Sequence, residues 1–151
     1  MEKKAISGKR KARKFALQAL YQWLMSGAEL YEIETQFRVI NNMDKVDTDY
    51  FCRLLYGIPE QVQHLEAQLA PFVVDRAIDT LNPIELTTLR IGAYELIHCL
   101  DLPYKVVLDE SVCLTKEFGS QDGYKYVNGV LNNLARQVRS VEVQQDLTRV
   151  K

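Results

Sequence analysis

The stretch NPIELTTLRIGAYELIHCLDLP, residues 82–103, decides the fold class. Asn82 can cap a helix, and Pro83 suits the first helical position, where no backbone N–H is needed. Glu85, three residues after the cap, can return a hydrogen bond to it. Leu86, Leu89, Ala93, Leu96, Ile97 and Leu100 then recur at three- and four-residue spacing, the period of an α-helix with an apolar side. Asp101-Leu102-Pro103 ends it. The run from Ile84 to Leu100 is the most apolar in the chain, yet Glu85, Arg90, Glu95 and His98 interrupt it. It therefore falls short of a membrane span.

The same period holds on both sides. Downstream, Val107, Ser111, Leu114 and Phe118 define a helix closed by Gly119, and Tyr124, Val127, Leu131, Leu134 and Val138 form a 3-4-3-4 ladder. Upstream, Ala12, Phe15, Ala16, Ala19, Leu20 and Trp23 form one buried stripe between Lys9 and Ser26, with Gly27 as its closing residue. Leu30, Ile33, Phe37 and Ile40 give a second helix. Asp47 or Thr48 can cap a third, whose apolar period runs from Phe51 to Leu69 with Pro59 inside it. That proline should kink or split the helix. Val73 to Leu81 reads as a short helix. No run alternates with period two, so the expectation is an all-α bundle of about seven helices, a number that allows two small packed sub-bundles. The organisation expected is a flexible basic arm over residues 1–8, a helical domain over 9–139 and a polar tail over 140–151.

At 151 residues the chain fits one domain, burying roughly 68–70% of its unfolded surface without disulfide or metal staples. Three cysteines with no C-x-x-C, and no apolar leader after Lys3 and Lys4, point to reduced thiols in a cytoplasmic protein. Catalytic parts are few. His64 and His98 are the only histidines and lie in no metal-ligand spacing, so neither metal nor cofactor is expected. Cys52, Cys99 and Cys113 read as small buried hydrophobes. Asp109 and Glu110 are adjacent, so on a helix they point about 100° apart and make no acid/base dyad. No phosphate-binding loop or serine-hydrolase elbow occurs.

Charge is distributed unevenly. Residues 1–14 carry Lys3, Lys4, Lys9, Arg10, Lys11, Arg13 and Lys14 against Glu2 alone, while the whole chain has a net charge of −1. A basic start on an acidic remainder predicts an anionic partner at one place; a solvated charged tail is the plainer alternative. On a helical wheel Arg10, Lys14, Gln18 and Tyr21 fall together, opposite the apolar stripe. Cations attract phosphates, an amide can bond a base edge, and a tyrosine ring can stack on a base. A second polar segment, Phe118 to Gly129, places Tyr126, Lys125 and Asn128 away from the core-facing Tyr124 and Val127. An exposed tyrosine beside a lysine at a helix start suits a nucleotide, and turn chemistry with a surface tyrosine explains it equally. Gly129, in mid-helix, reads as a point of close helix approach.

These segments resemble a known family. The run Lys9-Arg10-Lys11-Ala12-Arg13-Lys14, followed by Ala16-Leu17-Gln18-Ala19-Leu20-Tyr21-Gln22-Trp23, resembles the N-terminal signature of the NusB family of bacterial antitermination factors. Residues Leu89 to Leu96 look like its central helix. Pro103 to Glu110 and Tyr126 to Leu131 look like its two C-terminal signatures. The blocks follow the family's order from about Lys9 to Ala135. The resemblance implies seven helices in two sub-bundles and a non-catalytic role. It also implies binding of boxA-type single-stranded RNA together with ribosomal protein NusE, so that RNA polymerase resists termination, notably on ribosomal RNA operons. RNA contact would then fall to Lys9, Arg10, Arg13, Lys14, Gln18 and Tyr21, and to Lys125 and Tyr126, with Asp122 at the acidic position of the loop. Glu85 and Arg90 would lie in the region turned towards NusE. Two residues depart from the family pattern: Tyr126 stands where phenylalanine is common, and Pro59 is not a family feature.

Two other readings remain at this point. A similar domain begins a ribosomal RNA cytosine methyltransferase, although this chain leaves no room for a methyl-donor domain. A purely structural helical adaptor that binds an acidic protein is the other, and it would act independently of RNA.

Overall fold

The first helix, α1 (Glu2–Ser26), begins well before the expected position. The computed structural model describes residues 2–74 and 76–150. Met1, Asp75 and Lys151, which fall in the expected arm, the short helix and the tail, lie outside the described residues. Residues from Glu2 to Gly8 are thus the first turns of α1 and not a separate arm. Lysine and alanine favour helix, and Gly8, though a poor helix former, is buried where its carbonyl accepts a hydrogen bond from Asp47 N at 3.1 Å. At the other end Gly27 takes φ +68°, the left-handed conformation that glycine adopts freely, and its N–H donates to Trp23 O at 2.9 Å.

The chain divides into two compact units, one ending at Gln61 and the other starting at Val62. The first holds α1, α2 (Leu30–Ile40) and α3 (Thr48–Glu60). Its core is Ala12, Ala16, Leu17, Ala19 and Leu20 from α1 with Ile33, Phe51, Leu54, Leu55 and Ile58, all buried. Phe37 bridges it, edge-on to Phe15 at 6.3 Å and tilted against Phe51 at 6.1 Å. Asp47 caps α3, its Oδ1 accepting from Tyr50 N at 3.0 Å. Pro59 splits the third helix. The ladder ends two residues later at Gln61, whose N–H turns back to Ile58 O at 3.0 Å, and α4 (Val62–Leu69) starts afresh.

The second unit continues with two 3-10 turns, Ala70–Phe72 and Ile78–Thr80, where one short helix is expected. Then come α5 (Pro83–His98), α6 (Tyr104–Phe118), α7 (Gly123–Val138) and α8 (Ser140–Val150). Helix α5 is the centre: every residue from Glu85 to Leu96 is buried. Its threonines are accommodated by their own backbone, Thr87 donating to Pro83 O at 2.7 Å and Thr88 to Ile84 O at 2.8 Å. Asn82 caps α5 as expected, accepting from Ile84 N at 2.8 Å. Glu85 is turned inward instead of back to the cap.

Close approach occurs at Gly92 and not at Gly129. A Cβ on Gly92 would stand 2.5 Å from Leu131 Cδ1 and 3.0 Å from Ser111 Oγ, so α5, α6 and α7 meet there. A Cβ on Gly129 would meet nothing within 4 Å. The expected tail is helix α8, with Val143 buried and Tyr104 on α6 bonded to it through Asp146 at 2.9 Å. The described residues therefore form eight α-helices and no strand, an all-α fold. Of the cysteines only Cys99 is buried; Cys52 is half-buried and Cys113 exposed.

Candidate nucleic-acid interface

In the first unit α1 carries all six N-terminal candidates. Arg10 and Gln18 are exposed, while Lys9, Lys14 and Tyr21 are half-buried. Gln18 donates one amide N–H to Lys14 O at 3.2 Å, which lays its side chain along the helix. Arg13 differs from its neighbours. It is only 2% exposed, and its guanidinium carbon stands 5.5 Å from the ring centroid of Tyr50, with Lys9 Nζ over the same ring at 5.2 Å. Tyr50 on α3 thus holds two of the cations by cation–π attraction. Sequence reasoning missed Tyr50 because its partners lie some forty positions upstream, beyond the reach of any helical period. Arg13 can stiffen the basic face from below, and Arg10, Lys14 and Lys9 offer positive charge at or near its surface.

The second unit presents the start of α7. Glu85 and Ser120 press on Gly123 there: a Cβ would fall 2.5 Å from Glu85 Oε1 and 2.9 Å from Ser120 Oγ, so the ends of both side chains would have to shift. Lys125 is exposed, 6.0 Å from the Tyr124 ring, which Lys116 also covers at 4.6 Å. Tyr126 is half-buried where the wheel turns it to solvent, because the guanidinium of Arg76 lies 4.4 Å from its ring centroid. Arg76 approaches Glu85 Oε2 at 3.9 Å, so Glu85, Arg76 and Tyr126 form one series. No local pattern marks Arg76, which stands in an irregular segment far from Tyr126 in sequence.

Glu85 and Arg90 are both buried, at 5% and 8% exposure. Arg90 Nη2 lies 2.5 Å from Glu66 Oε1 on α4, while Glu85 faces Arg76 and the α7 start. Their charges are thus engaged within the unit. Among the described residues no group of His, Cys, Asp or Glu could hold a metal ion, and no helix is long and apolar enough to cross a membrane.

Fold and site together define a class: an all-helical protein of two units, with a basic and aromatic helix face on the first and a lysine–tyrosine helix start on the second. The chain belongs to the NusB family, whose sequence model matches residues 10–136. It is 75% identical over 146 residues to the transcription antitermination protein NusB of Legionella pneumophila (strain Corby), covering 97% of this chain and 99% of that protein. To the protein of the same name from Hahella chejuensis it is 49% identical over 140 residues, 93% of each. Among solved structures, a chain in the crystal structure of antitermination factors NusB and NusE in complex with dsRNA superposes with a TM-score of 0.73 at 25% identity. That match covers 85% of this chain and 96% of the other. T. maritima NusB superposes with a TM-score of 0.72 at 24% identity, over 84% and 89%, a likeness of fold.

Proposed function

We propose that this chain is a transcription antitermination subunit that binds boxA-type RNA of nascent transcripts, notably of ribosomal RNA operons, together with ribosomal protein NusE, so that RNA polymerase resists termination. The observation that carries this reading is the α1 face, where Arg10 and Gln18 lie exposed beside Lys9, Lys14 and Tyr21. It supplies charge, an amide and a ring along one helix. The near-complete match to NusB proteins and the solved NusB–NusE–RNA assembly support the same partners. Its role is binding and not catalysis, and it acts in the cytoplasm, where transcripts emerge.

Lys9, Arg10, Lys14, Gln18 and Tyr21 contact RNA, and Arg13 positions them against Tyr50. Lys125 and Tyr126 form the second contact. Glu85 and Arg90, being buried, serve the NusE side by holding α5 and the start of α7 in place.

Fluorescence anisotropy with a short boxA RNA and a scrambled control, each with and without NusE, tests the reading. Sequence-dependent binding that tightens with NusE is expected. Binding indifferent to both would reduce the chain to a basic helical adaptor.

A further inference from the structure

Beside the α1 face lies a feature that the RNA-contact set does not include. The N-terminal turns of α1 and the loop before α3 enclose an open cleft of about 540 Å³ whose lining includes Lys3, Lys4, Lys11 and Lys45. Lys3, Lys4 and Lys45 are exposed, and Lys11 is half-buried. Two aspartates also line it. Asp47, half-buried, accepts from Tyr50 N–H through Oδ1, and Asp44 is exposed. Four cations against two carboxylates leave the cleft positive.

The cleft is preformed. Asp47 N–H bonds to Gly8 O at 3.1 Å. That hydrogen bond ties the loop to the buried side of α1 at Gly8 and holds Lys45 near the lysines of the helix. Its position also matters. Lys3 precedes Arg10 by seven residues, almost two turns, so the two residues lie on nearly the same side of α1 about 10 Å apart. A sugar-phosphate chain passing over Arg10 would run on into the cleft. The volume far exceeds that of one water, about 30 Å³, and suits a nucleotide-sized piece of backbone.

We propose that this lysine cleft binds the phosphodiester backbone of RNA flanking the element read by the α1 face, without regard to base. The inference rests on the RNA-binding reading above. It assigns Lys3, Lys4, Lys11 and Lys45 to phosphate contact, a role that carries no sequence information.

The test uses the full chain and three RNAs: the boxA core alone, and the core extended at its 5′ or its 3′ end by an abasic ribose-phosphate spacer. For the unaltered protein, an extension at one end should tighten binding, and the salt slope should steepen by about 0.7 for each phosphate held. Replacing Lys3 and Lys45 by alanine (K3A and K45A together) should abolish that gain while leaving affinity for the bare core unchanged. Asp44→Asn should act in the opposite direction and enlarge it. Normal core binding with no gain from either spacer would overturn the cleft alone, as would a gain that survives K3A/K45A. Failure of the unaltered protein to bind even the core would remove the RNA reading and the cleft with it.

Discussion

Arg139 Nη1 and Glu142 Oε1 stand 2.6 Å apart, and this pair closes two helices at once. The buried guanidinium donates to Leu96 O at 2.8 Å, Leu102 O at 2.9 Å and Cys99 O at 3.1 Å, at and just beyond the carboxyl end of α5. Glu142 Oε2 accepts from Tyr104 N at 2.7 Å, at the amino end of α6. A cation thus meets carbonyls at a helix's carboxyl end, and an anion meets an orphan amide at a helix start, as the helix dipoles favour. Arg139→Ala withdraws the guanidinium from the Leu96, Cys99 and Leu102 carbonyls and from Glu142 Oε1, while Glu142 Oε2 keeps Tyr104 N–H, and should cost about 3 kcal/mol in urea unfolding. Glu142→Ala, the loss of a cap, should cost about 1 kcal/mol. Equal effects would refute this division of labour.

Arg10 and Arg13 are three residues apart and should behave differently. Arg10→Ala, at an exposed position, should weaken RNA binding and leave the melting midpoint nearly unchanged. Arg13→Ala removes a buried cation from the Tyr50 ring and should lower stability by about 2 kcal/mol. Thermal melts beside RNA titrations of both variants decide the matter; marked unfolding of Arg10→Ala would count against the interface.

Tyr126→Ala should weaken RNA binding by about 1–3 kcal/mol, the usual worth of one base–aromatic stack. Tyr126→Phe, which keeps the ring under Arg76, should bind almost as the unaltered chain does. Unchanged affinity in the alanine variant, measured by the same titration, would remove stacking from the account.

The glycines separate just as clearly. Gly129→Ala fills open space on the exposed face of α7 and should raise stability by about 1 kcal/mol. Gly92→Ala drives a methyl into Leu131 and should lower it by about 1–3 kcal/mol. Chemical denaturation of the two variants should give shifts of opposite sign.

A polar cluster joins α2 to α3: Glu34 accepts from Tyr56 Oη at 2.5 Å and from Arg38 Nε at 2.7 Å. The Tyr56 hydrogen bond, and then Arg38, holds the Glu34 carboxyl below its ordinary 4.5, while the same carboxylate pushes the Tyr56 phenol from 10.0 up to about 12. The contribution of Glu34 is therefore complete above pH 4.5 and fades as pH falls through its lowered value. That of Tyr56 is complete below pH 10.0 and fades as pH rises through about 12. Tyr56→Phe should flatten both limbs of a stability–pH profile, at a cost of about 1 kcal/mol or less at neutrality because the ring is partly exposed. An unaltered profile would discount the cluster.

What could be read from sequence was local. Asn82-Pro83, Asp47, Gly27 and Pro59 each act on the backbone within four residues, and each marks a helix end or break in the structure. Helix α8 was not legible, because Arg139 and Glu142 find their partners on α5 and α6, about forty positions away. The same distance hid Tyr50 beneath Arg13 and Arg76 over Tyr126. The wheel aligned Arg10, Lys14, Gln18 and Tyr21 correctly because they share one helix. It could not distinguish Arg13 from them, since only tertiary packing buries that side chain. Gly129 misled because a mid-helix glycine looks alike in sequence whether it is packed or open.

Gly92 also sets a dimension. Leu131 rests directly on it, and Tyr126 lies five residues earlier on the same helix, about 7.5 Å along the axis. A side chain at 92 would press on Leu131 and Ser111 and strain the seat of α7, the helix whose first turn carries Lys125 and Tyr126. The missing side chain works as a gauge block in the core, fixing from inside the protein how far those two residues reach outside it.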